Sequence, residues 1–397
     1  MKSNCVLLYK YLVVILAVSI MLNSNGCQQE VVEEPVALGP VFFPPPPNQP
    51  RMQFLTSYSG GENFDIAKPS ALELFVLGES EIPVGTIDRP YGLDIHKGKI
   101  YVCDVGQGNI KVMDLVNRTF TVFPSGRSLA GPTNIFIEPN GTKYVADPLV
   151  GAVMVYNAEN KPVHFLGKNL VIEPLDLVVR GDRLYLTDAK ANQVVVLDKR
   201  NGKLLQRIGE GVEDEALLDS NKFFSITDLY LDSEGDIYVG DKIKGQLTRF
   251  NSDGVFVRTY GRPGTSPGSL VRAKGVAFDR EDRIWVVDAG PACAVKVFRK
   301  EDGQLLMYFG TLGSSPGQMY MPATVVIDYD NVDLFRKYAV EGAELEFIVL
   351  VTNQYGDQKV SVYGFGSFPE HYSMQALETE SAPAKEEGVE DKSEVVE

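Results

Sequence analysis

The chain has 397 residues, of which 44% are hydrophobic and 23% charged, and its formal net charge is −15. That composition belongs to a folded globular protein, and so acidic a chain repels phosphate backbones, so no nucleic-acid partner is expected. Four cysteines, two of them within the first 27 residues, cannot build a disulfide framework, and three histidines (His96, His164, His371) without a C-x-x-C-H string exclude c-type haem and a histidine-rich zinc site.

Lys2 and Lys10 flank the start of an apolar run from Tyr11 to Leu22 (YLVVILAVSIML). Twelve apolar residues suit a signal-peptide core and fall short of a bilayer span. Asn23, Ser24, Asn25 and Gly26 then lead to Cys27. A small residue before cysteine resembles the bacterial lipobox. The resemblance implies that residues 1–26 are a signal peptide and that Cys27 receives lipid, giving a membrane anchor. Ser24 stands where the lipobox has Leu, which leaves an ordinary cleaved signal or an uncleaved anchor as alternatives. Several acyl chains on Cys27 would hold firmly, at about 0.8 kcal/mol per buried CH₂. Gln28 in place of Asp resembles the outer-membrane sorting default. The expected location is therefore the outer membrane or cell surface, with a periplasmic face as the other option. Residues 27–50 are expected to form a tether, because Pro44 to Pro47 favour extended polyproline II at about 3.1 Å per residue.

Beyond the tether a short apolar strand ending in an acid or amide recurs. It reads IYVCD (Ile100–Asp104), KYVAD (Lys143–Asp147), LYLTD (Leu184–Asp188), IYVGD (Ile237–Asp241), IWVVD (Ile284–Asp288) and IVLVTN (Ile348–Asn353). An earlier strand precedes each, such as YGLDI (91–95) or TDLYL (227–231), and a third follows, such as NQVVVLD or CAVKVFR. A fourth closes several units at a glycine, as in VRTYG (257–261) and LMYFG (306–310). Four short strands per repeat make the blade of a propeller, and blades must stack to bury both faces. The sequence therefore predicts an all-β, six-bladed β-propeller over residues 51–366, with four-stranded blades. The sixth repeat lacks a fourth strand, and MQFLTSYSG (Met52–Gly60) has the character of one. It is expected to pair with the strand around Val360–Tyr363, closing the ring and leaving no open edge. Residues 61–87 become an inserted loop or hairpin, and Asp330–Leu345 an insertion with a short helix.

The glycine-rich joins YGRPGTSPGSL (Tyr260–Leu270) and FGTLGSSPGQM (Phe309–Met319), together with the YVAD-type strands, resemble NHL repeats over residues 88–365. As a whole the chain is similar to bacterial NHL propeller lipoproteins, a group defined by fold. The resemblance implies the fold and not a particular reaction.

Ligands of propellers sit at the axis, where first strands open. The opening column is Tyr91, Thr133, Leu175, Thr227, Lys274 and Ala323, and with Arg89 it supplies the candidate axial ligand-binding residues Arg89, Tyr91, Thr133, Thr227 and Lys274. Calcium-dependent lactonases of the gluconolactonase type place Asn or Asp in that column; two hydroxyls and a lysine do not make a hard-cation site, so no metal is expected there. The next column offers Asn134, Asp176 and Asp228 in consecutive blades, as a metal site or as hydrogen-bond straps between blades. Strand alternation points this column away from its predecessor. The recurrent Asp104, Asp147, Asp188, Asp241 and Asp288 are expected to cap turns. Propeller lyases of the peptide-amidating type use several histidines and zinc, and no histidine pair here has ligand spacing. Cys103 is expected in the core, and Cys293 in a loop where it is open to solvent; both are expected unpaired.

The stretch 376–397 carries eight acids against two lysines, and 367–397 is expected to be a disordered acidic tail. No catalytic residue and no cofactor, haem included, is expected. The function expected is a lipid-anchored scaffold binding a protein, peptide or glycan at the cell envelope. A hydrolase or lyase with an unrecognised axial site, or a ligand carrier in the axial channel, are the alternatives.

Overall fold

The computed structural model describes residues 39–64, 85–125, 129–211 and 222–373. The signal peptide, Cys27, the first part of the tether and the tail beyond Ser373 lie outside the described residues. So does most of the loop after Asn63.

Five antiparallel sheets of four strands and one of five form six blades. Blade 1 runs from Pro90 to Phe123, blade 2 from Asn134 to Leu166 and blade 3 from Pro174 to Ile208. Blade 4 runs from Ile226 to Tyr260, blade 5 from Ala273 to Phe309 and blade 6 from Pro322 to Ser367. The second and third strands of the blades read as near-continuous buried runs, as in IYVGD and AVKVF, because neighbouring blades cover both faces. Each first strand lies innermost, and in blades 1 to 5 the fourth strand is outermost and the most exposed of the four, as in LLMYF.

Six apolar clusters fill six blade interfaces. Leu93, Ile100 and Val102 of blade 1 pack with Ile348, Leu350 and Val362 of blade 6 in one of them. That contact closes the ring. Blade 6 takes its fourth strand from the N-terminus: Met52–Tyr58 pairs antiparallel with Val360–Ser367, with Phe54 opposite Tyr363 and Tyr58 opposite Val360.

The body begins earlier than a tether to residue 50 allows. Phe42–Phe43 adds a fifth strand against Gln53 and Met52, and the proline run turns between the two strands. Phe42 packs on Phe368 and Tyr372, which buries what a free spacer would expose. The insertion of blade 6 forms two 3₁₀ turns, Val332–Leu334 and Arg336–Tyr338. Cys293 is buried at 2% exposure, its thiol donating to the Gly290 carbonyl, so the solvent-open placement is corrected. A two-residue parallel pair, Glu210–Gly211 with Lys222–Phe223, lies between blades 3 and 4 in sequence.

Candidate functional site

The acid that ends each second strand ties two loops together. Asp104 accepts the backbone N–H of Asp88 and Arg89 at 2.8 and 3.0 Å, and also that of Gly106 in its own turn at 3.1 Å. Asp147, Asp188, Asp241 and Asp288 repeat the pattern, and Asn353 accepts from Tyr320. These side chains hold the loops of one propeller face against the openings of the inner strands.

The inner strands of blades 1, 3, 4, 5 and 6 each carry a register shift beside their second strand, between Pro90 and Leu93, Pro174 and Leu177, Ile226 and Leu229, Ala273 and Val276, and Pro322 and Val325. A bulge breaks the alternation of side chains. Members of both predicted columns therefore come together, which corrects the expectation that they point apart. Inner strands also crowd closely: a Cβ on Gly92 would lie 2.6 Å from the Thr133 carbonyl, and one on Gly275 2.5 Å from Thr324 Cα.

Within this frame the predicted residues separate into two groups. Thr133 and Thr227 are buried straps. The Thr133 hydroxyl donates to the Leu175 carbonyl at 2.7 Å, and the Thr227 hydroxyl to the Ala273 carbonyl at 3.1 Å, each crossing to the next blade. Asp176 accepts its own strand's Leu177 N–H at 2.8 Å and Leu229 N–H of blade 4 at 2.7 Å. Asn134 accepts Ile135 N–H at 2.6 Å. Arg89 stands half-exposed at the rim beside Asp88, 3.8 Å away.

Tyr91, Asp228 and Lys274 form the second group. Lys274 Nζ lies 5.4 Å from the centre of the Tyr91 ring and 3.4 Å from Gln354 Oε1. Asp228 is 3% exposed, and its Oδ2 is buried with no hydrogen-bond partner. Burial pushes Asp228 up to about 7, opposed by the charge of Lys274. Burial and then the charge of Asp228 hold Asp176 well above the ordinary carboxylate range, against its two backbone amides. Tyr91 is raised by burial and by Asp228 and Asp176, and Lys274 is lowered by burial, opposed by Asp228. Blades 1, 3, 4 and 5 thus contribute to one largely buried cluster of interacting charges, which blade 6 joins through the contact of Gln354 with Lys274. Perturbed groups gathered at an axis mark a candidate site.

Asp94 and Gln354 were not anticipated. Asp94 accepts Ile95 N–H and Ile137 N–H at 2.8 and 2.7 Å and is pushed up to about 7 by burial. An acidic loop, Asp232, Glu234 and Asp236, also clusters its carboxylates. It is filled by the protein's own cations: Lys300 Nζ lies 2.9 Å from Asp232, and Arg249 2.6 Å from Asp236. The histidines are dispersed, on the first strand of blade 1, the fourth of blade 2 and beyond blade 6.

No protein-family model matches the chain. A stretch of 108 residues is 29% identical to human NHL repeat-containing protein 3, covering 26% of this chain and 31% of that protein. The mouse protein of the same name is 28% identical over a stretch of the same length. The chain thus spans about a third of the length of these curated relatives. Among solved structures it is similar to a protein of unknown function from Bacteroides thetaiotaomicron, with a TM-score of 0.52 at 10% identity, covering 79% of this chain and 75% of that one. A catalytically inactive virginiamycin B lyase of Staphylococcus aureus, solved with quinupristin, aligns over 70% of this chain and 96% of its own, with a TM-score of 0.48 at 12% identity.

Proposed function

We propose that this protein is an NHL-type propeller, exported and anchored through Cys27, that works as a binding scaffold at the cell envelope. The carrying observation is a set of exposed apolar side chains on the loops of one face. They are Leu149 (75% exposed) and Ile172 (62%) around blades 2 and 3, Ile243 (47%) in blade 4, and Tyr320 and Tyr355 (44% and 49%) in blade 6. All lie in turns between second and third strands or in loops entering the next blade. Topology puts these loops at the end where the inner strands open. The acid staples hold them rigid, so a partner loses little loop entropy on docking, and large exposed apolar side chains on ordered loops mark interaction surfaces. The NHL-like stretch supports the family reading, and the apolar run with Cys27 supports export and anchoring.

The test is cross-linking in intact cells, comparing the natural chain with L149D/I172D and with C27S. The reading requires a discrete cross-linked partner that L149D/I172D loses, and a shift of C27S out of the membrane fraction. Turnover in a lactonase or esterase panel by purified protein would refute the scaffold reading in favour of a hydrolase.

A further inference from the structure

Asp228 and Lys274 open neighbouring inner strands, are 3% and 7% exposed, and sense each other's charge without forming an ion pair. Among the described residues Asp228 Oδ2 has no donor, and Lys274 Nζ has only the long contact to Gln354 and the Tyr91 ring. A buried acceptor without a donor is costly, and so is a buried ammonium with weak acceptors.

The charges of these side chains decide which ligand chemistry complements them. A metal ion would sit against the Lys274 ammonium while Asp176 already has both oxygens engaged by amides. An anion alone would face Asp176 and Asp228. A cation alone would face Lys274. A water can donate to Asp228, yet it brings no charge to Lys274. One compact molecule carrying an ammonium and a carboxylate on the same carbon satisfies both side chains.

We infer that the axial mouth binds a small zwitterion of the α-amino-acid class, its ammonium donating to Asp228 and its carboxylate accepting from Lys274. Tyr91 and Gln354 wall the site. This goes beyond the scaffold reading and is independent of export, anchoring and the exposed loops.

The test is calorimetric titration of the full-length protein with the common α-amino acids. Each binder is then compared with its one-charge relatives, for alanine ethylamine and propionate. At least one amino acid should saturate, and its amine and acid relatives should each bind at least about tenfold more weakly. D228N and K274M should each weaken binding at least about tenfold, whereas K168A on the rim of blade 2 should leave it unchanged. D228N keeps the shape of the side chain, so a melting temperature no lower than the natural chain's shows that it is folded. The inference is overturned if no amino acid saturates, if either one-charge relative binds as well, or if folded D228N binds as tightly as the natural chain.

Discussion

Replacing Asp228 by Asn removes a charge that the fold buries without a partner. In an unfolded chain the carboxyl has its ordinary value of 3.8, and in the propeller burial raises it to about 7. A raised carboxyl binds its proton more tightly in the native state. Its contribution therefore favours folding least above about pH 7, where the buried group must be charged, and the penalty disappears as pH falls toward 4. Moving the group that far corresponds to about 4 kcal/mol, at about 1.36 kcal/mol per pH unit. That is a ceiling, because unfolded chains retain some structure and D228N also takes from Lys274 the charge that opposes its own burial. Asn keeps the shape, stays neutral and brings a donor. We expect D228N to be more stable than the natural chain by about 2–4 kcal/mol at pH 8, with the gain shrinking through pH 6 and gone near pH 4. In a scanning melt this is a rise of roughly 3–6 °C for a body of this size. D94N is the control. Both Asp94 oxygens accept backbone amides, so although burial raises this carboxyl to about 7 as well, the new amide group would face a donor at a cost of about 1–3 kcal/mol, and D94N should gain less than D228N at pH 8. A D228N protein no more stable than the natural one at pH 8, or equally stabilised at pH 4, would refute a buried unpaired carboxylate at the axis.

Three further outcomes are expected. Deleting residues 1–60 uncovers the Val360–Ser367 edge of blade 6, and should lower the melting temperature by more than about 10 °C and produce self-association in light scattering, while deleting residues 1–38 should do neither. In blade 5, Lys296 Nζ lies 2.8 Å from Asp288 and 2.6 Å from the Ser269 carbonyl; K296M leaves the buried Asp288 charge without its counter-ion, held only by backbone amides, and should cost about 3–5 kcal/mol in denaturant unfolding. Cys103 and Cys293 are buried, and burial raises both thiols, Cys103 well above its ordinary value. In a C5S/C27S chain neither should react with a disulfide reagent near neutral pH until the protein is unfolded, and a fast native-state reaction would contradict their placement.

The architecture was legible because its units repeat. One acid-ended strand is a weak signal; five of them and a sixth ending in Asn353, each flanked by apolar runs, admit little but a ring of blades. The closing strand at Met52–Tyr58 was legible for a complementary reason, since the last repeat lacked its fourth strand and an edge in a propeller needs covering. The start of the body was not legible. Consecutive prolines argue locally for an extended spacer, and nothing local shows that Phe42 packs against Phe368 from the far end of the chain.

The axis was half legible, and the reason lies in how these strands are buried. A first strand such as ITDLYL is covered along its length, so apolar and polar residues cannot be sorted to two faces by alternation. Reading the faces by alternation alone separated Tyr91 and Lys274 from Asp176 and Asp228. The register shift reunites them. A glycine, Gly92 or Gly275, sits inside the shift in two of the five blades; in the other three an apolar strand without glycine leaves almost no mark of its bulge. One sign was present: a carboxylate set inside an apolar run has to find a partner or leave a charge unmet. Asp176 found two amides and Asp228 found none. These are adjacent blades, with the same residue type in the same column. Which of the two is a strap and which is unmet depends on the neighbouring blade's amide, a contact set by closure of the ring.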